Sequence, residues 1–118
     1  MALALLASVA LSLCASGPRD NCVHDGDTFW LDGEKVRIAD IDAPELQARC
    51  ARERDLALAA RNRLLALLNA GPFTLRRSGR DRYGRTLAVV WSAGRSVGGV
   101  LVAEGLARQW DGVRRSWC

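Results

Sequence analysis

The sequence predicts a single α+β domain in which short strands carry packed helices. Three observations support this. At 118 residues the chain has room for one core of the usual ~100–150-residue size and for no second one. An Asp32-Gly33 pair separates two extended runs, a hairpin signature. Residues 50–69 carry apolar positions at steps of three and four, the period of a helix buried on one side. With 49% hydrophobic and 25% charged residues, the composition excludes a wholly disordered chain.

In chain order, residues 1–16 (MALALLASVALSLCAS) form an apolar run, shorter than the ~20 residues that span a bilayer. No stable membrane span is expected. One reading is a secretory signal peptide followed by a domain over 17–118, although no Lys or Arg precedes Arg19. The other makes Leu11–Cys14 a strand that turns through ASGPRD into a hairpin partner starting at Cys22. Thr28–Leu31 and Lys35–Ile41 are the strands around Asp32-Gly33, and Pro44 ends the second. The helix spans Cys50 to Asn69, with Leu56, Ala60, Leu64 and Leu67 on its stripe and Leu65 and Leu68 widening it; Asn69-Ala70-Gly71-Pro72 stops it. Phe73–Leu75 and Thr86–Trp91 are strands flanking an arginine-rich loop. Ser96 caps a shorter helix running to Ala107.

The net charge is +4, but its distribution says more. From Asp20 to Glu45 eight acids face two bases; from Arg49 to Arg85 ten arginines face three acids. An acidic pole beside a basic field suits a cation and a phosphate polymer held together. Lys35 is the only lysine, and arginine's fork binds phosphate bidentately. Four cysteines, Cys14, Cys22, Cys50 and Cys118, form no CxxC or Cys/His cluster, which argues against structural zinc. At least one disulfide is expected, in an oxidising compartment. The hairpin reading puts Cys14 near Cys22 and leaves Cys50 for Cys118, yet all three pairings remain open.

Three constellations carry chemistry: Asp25-Gly26-Asp27-Thr28; Arg37 with Ile41-Asp42-Ala43-Pro44-Glu45; and Asp81-Arg82-Tyr83-Gly84-Arg85. Cleaving a phosphodiester requires a Lewis acid on the phosphoryl oxygen, an activated water and cations facing the equatorial oxygens. These carboxylates and arginines are the residue types for all three tasks. In order and spacing, and with the hairpin and helix between them, the constellations resemble the staphylococcal nuclease (thermonuclease) family over about Cys22 to Trp110.

The resemblance implies a five-stranded Greek-key barrel of the OB type with packed α-helices. It implies that Asp27 and Asp42, with the Ala43 main-chain carbonyl, bind Ca2+; that Glu45 is the general base; and that Arg37 and Arg85 hold the phosphate. Arg82 and Tyr83 would lie beside the nucleotide. The implied protein is a monomeric calcium-dependent nuclease acting on DNA and RNA, secreted or periplasmic, with no obligate protein partner. The alternatives are a noncatalytic OB-type nucleic-acid binder and a disulfide-stapled interaction module.

Other residues are expected in plainer roles. Asp25 is read as a turn or ladder residue, Asp40 as solvated, and His24 as a surface or edge-strand residue. The loop after Glu45 (Leu46–Arg49) is shorter than the family's long mobile loop, and the family's final helix has no counterpart after Trp110, so Cys118 is expected to tie down the tail. Trp110 and Trp117 are the candidates for an aromatic near the base, with core packing as the competing role.

Overall fold

The computed structural model describes residues 10–118. Most of the apolar 1–16 segment, residues 1–9, lies outside the described residues. No helix of the described residues is long and apolar enough to cross a membrane. The elements are β1 (Ser12–Leu13), β2 (Cys22–Asp25), β3 (Thr28–Leu31), β4 (Glu34–Ile38), β5 (Ile41–Asp42), α1 (Ala51–Asn69), β6 (Thr74–Arg80), β7 (Thr86–Ser92), β8 (Arg95–Ser96), α2 (Val97–Ala103) and β9 (Arg108–Gln109).

The main sheet runs β1-β2-β3-β4-β7-β6, with β8 added on β7, while β5 and β9 form a separate antiparallel pair. Five of these strands, β2, β3, β4, β6 and β7, have four or more residues. The architecture is α+β, an OB-type barrel sheet with packed helices, and its hydrogen-bonded path is left open between β1 and β6. Strands β2 and β3 are antiparallel and meet in a two-residue turn, Gly26-Asp27, closed by the Asp25–Thr28 pair. The β3–β4 turn is Asp32-Gly33, both at positive φ (49° and 81°), as a tight primed hairpin turn demands. Strands β4 and β7 are parallel, because α1 and β6 intervene and return the chain to the same direction.

Alternation along the strands divides core from site. Val23, Phe29, Val36, Ile38, Ala88 and Val90 face the core, where Leu64 and Leu68 of α1 and Val97 and Leu101 of α2 cover them. Phe29 and Phe73 meet edge to face, centroids 6.2 Å apart. The helix α1 buries Glu53, Ala57, Ala60, Leu64 and Leu68, so the expected stripe is rotated slightly: Leu56 and Leu67 flank it and Glu53 begins it. Small residues on that face allow a close approach. A methyl group added at Gly26 would stand 2.7 Å from Ala60 Cβ and 2.9 Å from Ala43 Cβ, so only glycine fits between helix and turn.

Several boundaries differ from the sequence expectations. Leu11–Cys14 joins the fold, but β1 runs parallel to β2 rather than forming a hairpin with it: Cys14 N–H donates to the Val23 carbonyl and Leu11 exchanges two bonds with the Asn69 amide. The Lys35–Ile41 run breaks at Ala39-Asp40, where the chain leaves β7 for β9. The arginine-rich loop is mostly strand, because β6 pairs with β7 as far as Arg80 through a bulge near Gly79. Its side chains are largely exposed, and arginines on such an edge discourage pairing with other chains. The second helix stops at Ala103 rather than Ala107, as Gly105 (φ 77°) turns and Leu106 N–H caps the Leu101 carbonyl.

Two disulfides are present, Cys14–Cys22 and Cys50–Cys118, and no described cysteine is free. The first staples β1 to β2. The second ties the tail to the N-cap residue of α1.

Candidate active site

The site is built on the face of β4 opposite the core. Because Val36 and Ile38 point inward, Arg37 between them points outward, yet it is buried. Its guanidinium is held by the main chain: Nη1 donates to the Ile38 and Ile41 carbonyls, the latter at 2.8 Å. Nη2 faces two carboxylates, Asp27 at 3.6 Å and Asp42 at 3.9 Å. Asp27 comes from the β2–β3 turn and Asp42 from β5, and both are buried. The turn is pinned locally. Asp27 Oδ1 accepts from the Thr28 hydroxyl, Oδ2 accepts from Ala43 N–H at 3.0 Å, and Asp25 Oδ1 accepts from Asp27 N–H.

Asp25 is the turn and ladder residue expected, paired with Thr28 across the turn and buried beside Asp27. Burial and the neighbouring Asp27 charge push its pKa up to about 8. Asp42 is also raised, by burial first and then by Asp27, against the opposing pull of Arg114 and Arg37. Asp25, Asp27 and Asp42 are thus crowded, with Arg37 and Arg114 as the cations that offset them. Two carboxylates and a main-chain carbonyl are a hard-oxygen set of the type Ca2+ takes, with water and substrate oxygens completing its coordination. Among the described residues no group of three acidic, histidine or cysteine side chains is arranged to hold a metal ion.

Beside these acids opens a cavity of about 440 Å3, lined by Asp42, Ala43 and Glu45 on one side and by Arg114, Arg115 and Trp117 of the tail on the other. Glu45 Oε1 is paired with Arg114 Nη1 at 2.9 Å. Glu53, at the head of α1, receives the Glu45 and Arg49 N–H groups on its carboxylate and so sets the loop that presents Glu45. A carboxylate in the first position of an apolar stripe was the sequence signal for that role.

Arg85 does not line that cavity; it stands two residues before Leu87, the partner of Arg37 on β7. Its Nε and N–H donate to Asp81, whose carboxylate also accepts from Tyr83 N–H; Arg82 Nη2 donates to the Tyr83 hydroxyl, and both arginines lie against that exposed ring. The Asp81–Arg85 segment is a self-bonded turn and does not line the cavity. The structure brings Asp27, Arg37, Asp42 and Ala43 together, with Glu45 lining the cavity beside Asp42, and gathers Arg82, Tyr83 and Arg85 in the turn just before β7.

Asp40 is half-buried rather than solvated, its Oδ2 accepting from the Ser96 hydroxyl at 2.7 Å. His24 is half-buried on β2, edge-on to Trp30. Trp110 is exposed and Trp117 is covered by Arg108, 3.7 Å from its ring centroid. Sequence reasoning named Trp117 and the Cys118 anchor but missed Arg114 and Arg115 of the tail. Their only sign was a basic and aromatic cluster, Arg114-Arg115-Ser116-Trp117, ending in a cysteine.

An OB-type barrel with paired acids and an arginine on the outer face of one strand defines a class of domain. The chain belongs to the staphylococcal nuclease homologue family, which it matches over residues 35–116. It is 33% identical over 112 residues to a protein of Haemophilus influenzae described as an uncharacterized endonuclease, covering 87% of this chain and 59% of that protein. It is 36% identical over 92 residues to the thermonuclease of Staphylococcus intermedius (73% and 55%) and 37% identical over 91 residues to endonuclease YncB of Bacillus subtilis (71% and 43%). The chain spans about half the length of these curated relatives.

Proposed function

We propose that this protein is a calcium-dependent nuclease that hydrolyses phosphodiester bonds of DNA and RNA by attack of an activated water. The observation that carries this is the approach of Asp27 and Asp42 to Arg37, with Asp42 lining the same cavity as Glu45, in a chain of this family. Asp27, Asp42 and the Ala43 carbonyl would hold the calcium ion. Bound there, the ion supplies Lewis acidity to the phosphoryl oxygen. Glu45 accepts the proton of the attacking water, for which it must give up its pairing with Arg114. Arg37, with Nη1 fixed on two carbonyls, presents Nη2 at the acids as a preorganised donor for charge building on the phosphate. Arg85 is the second such donor, and it reaches substrate only by turning its free guanidinium edge away from Asp81. Arg82 and Tyr83 flank the nucleotide beside it.

The protein works as a monomer outside the reducing cytosol, secreted or periplasmic, where both disulfides persist. Among the described residues Leu11 already bonds to Asn69, which supports a signal segment confined to about the first ten residues.

The test compares cleavage and affinity on one oligonucleotide with calcium. Glu45→Gln should lower turnover by roughly 100- to 10,000-fold and Arg85→Ala by roughly 100- to 1000-fold, with binding retained in both. Wild type that binds without cleaving returns the noncatalytic binder, and variants that cleave at the wild-type rate remove these two roles.

A further inference from the structure

Both arginines assigned to the phosphate already hold other partners through part of the guanidinium. Arg37 is fixed on two carbonyls and faces the acids, and Arg85 is held by Asp81. Neither lines the cavity. The cations that do are Arg49, Arg114 and Arg115, two of them on the tail.

That tail is anchored at both ends. It leaves β9, where Arg108 pairs with Asp42 of β5, and it ends at Cys118, bridged to Cys50 directly ahead of α1. Between the anchors, Arg108 lies over Trp117 and donates to the Arg115 carbonyl. Arg115 is turned to Asp111 at 2.7 Å, which leaves Arg114 as the tail cation directed at the acids. It meets Glu45 through Nη1 alone, so its other N–H donors are available to a ligand. An exposed pair of this kind is weak, typically ~0–1 kcal/mol, and a backbone phosphodiester, singly charged but offering two non-bridging oxygens to the guanidinium fork, exchanges with it readily. A chain anchored at both ends pays little ordering entropy to keep the guanidinium there.

Resting on the nuclease reading above, we propose that the disulfide-anchored tail is the substrate-binding wall of this site. Arg114 is its phosphate-binding residue, paired with Glu45 and transferred to a nucleic-acid backbone phosphate when substrate arrives. The exchange frees Glu45 as it fills the cavity, so the base is exposed only with substrate present.

The test uses the full chain and two readouts: steady-state cleavage with calcium, and affinity for a cleavage-resistant phosphorothioate oligonucleotide at several salt concentrations. Arg114→Gln should raise KM and Kd by about 10- to 100-fold, the value of one hydrogen-bonded charge contact, with kcat changed less than about threefold. The slope of log affinity against log salt should fall by about one. Arg114→Lys should recover part of the loss. Cys118→Ser, which frees the tail, should shift KM in the same direction. The double variant should be no worse than the larger single, because both act through one contact. Arg63→Gln removes the same charge from the α1–α2 pair with Glu104 and should change KM less than about twofold.

Faster cleavage by Arg114→Gln would make the tail an inhibitory plug and overturn the proposal. So would an unchanged KM and Kd, or a fall confined to kcat. If wild type binds but does not cleave, the nuclease reading fails while affinity and salt slope still decide for or against Arg114. A wild type that does not bind overturns both.

Discussion

Asp42 reports most directly on the chemistry at the level of single residues. Buried beside Asp27 and 3.9 Å from Arg37, it is held in an electrostatically unfavourable place, since burial and Asp27 both oppose its ionised form. Such a position becomes favourable when a cation arrives. Asp42→Ala should therefore leave the barrel folded, with apo stability equal to or above wild type, and should abolish both calcium-dependent cleavage and the calcium-induced rise in melting temperature. For wild type at 100 times Kd that rise corresponds to about 2.7 kcal/mol. Thermal melts with and without calcium check this, and an unchanged calcium shift in the variant would remove Asp42 from the ligand set.

Two contacts between elements carry separate predictions. Gly26 sits where α1 crosses the β2–β3 turn, and Gly26→Ala would force a methyl group against Ala60 and Ala43. The expected cost is ~1–3 kcal/mol of overpacking, with a loss of calcium affinity as well, because Ala43 holds Asp27 through its N–H. Chemical denaturation and calcium titration of the variant read the two effects. Glu34 of β4 reaches across β7 to Arg77 of β6 with two hydrogen bonds, 3.0 and 2.7 Å. The Arg77 bonds hold its carboxyl down at about 2, from an ordinary 4.5. A lowered folded-state pKa contributes stability that is present above about 4.5 and disappears as pH falls toward 2. Wild type should therefore melt above Glu34→Gln at neutral pH, by a small margin because the pair is partly exposed, and the two curves should converge across that window.

Across the whole molecule, the disulfides decide how far the fold extends. The Cys50–Cys118 bridge closes a span of 68 residues, for which loop-closure entropy corresponds to about 4 kcal/mol; the eight-residue Cys14–Cys22 span corresponds to about 2.6 kcal/mol. Protein from its native compartment should show no free thiols when denatured without reductant. Reduction should lower the melting temperature, and Cys118→Ser alone should account for the larger share. Four titratable thiols in native material would contradict both bridges and the oxidising location.

How much of this was legible in the sequence depends on the range of the interactions. Strands, turn chemistry and the long helix follow from local periodicity and from residues such as Asp32-Gly33 and Asn69-Ala70-Gly71-Pro72, whose preferences are set within a few residues. The acids Asp27, Asp42 and Glu45 and the arginine Arg37 stood out because their spacing resembled a family, and alternation along β4 already separates Arg37 from the core residues beside it. Other features were decided only by tertiary structure. Asp25 is buried because α1 closes over the turn at Gly26, and β1 is parallel because Cys14 and Leu11 are captured by partners 8 and 58 residues away. The tail enters the site through a bond between the N-cap of α1 and Cys118. Each of these depends on which distant segments meet, and local sequence preferences carry no record of that.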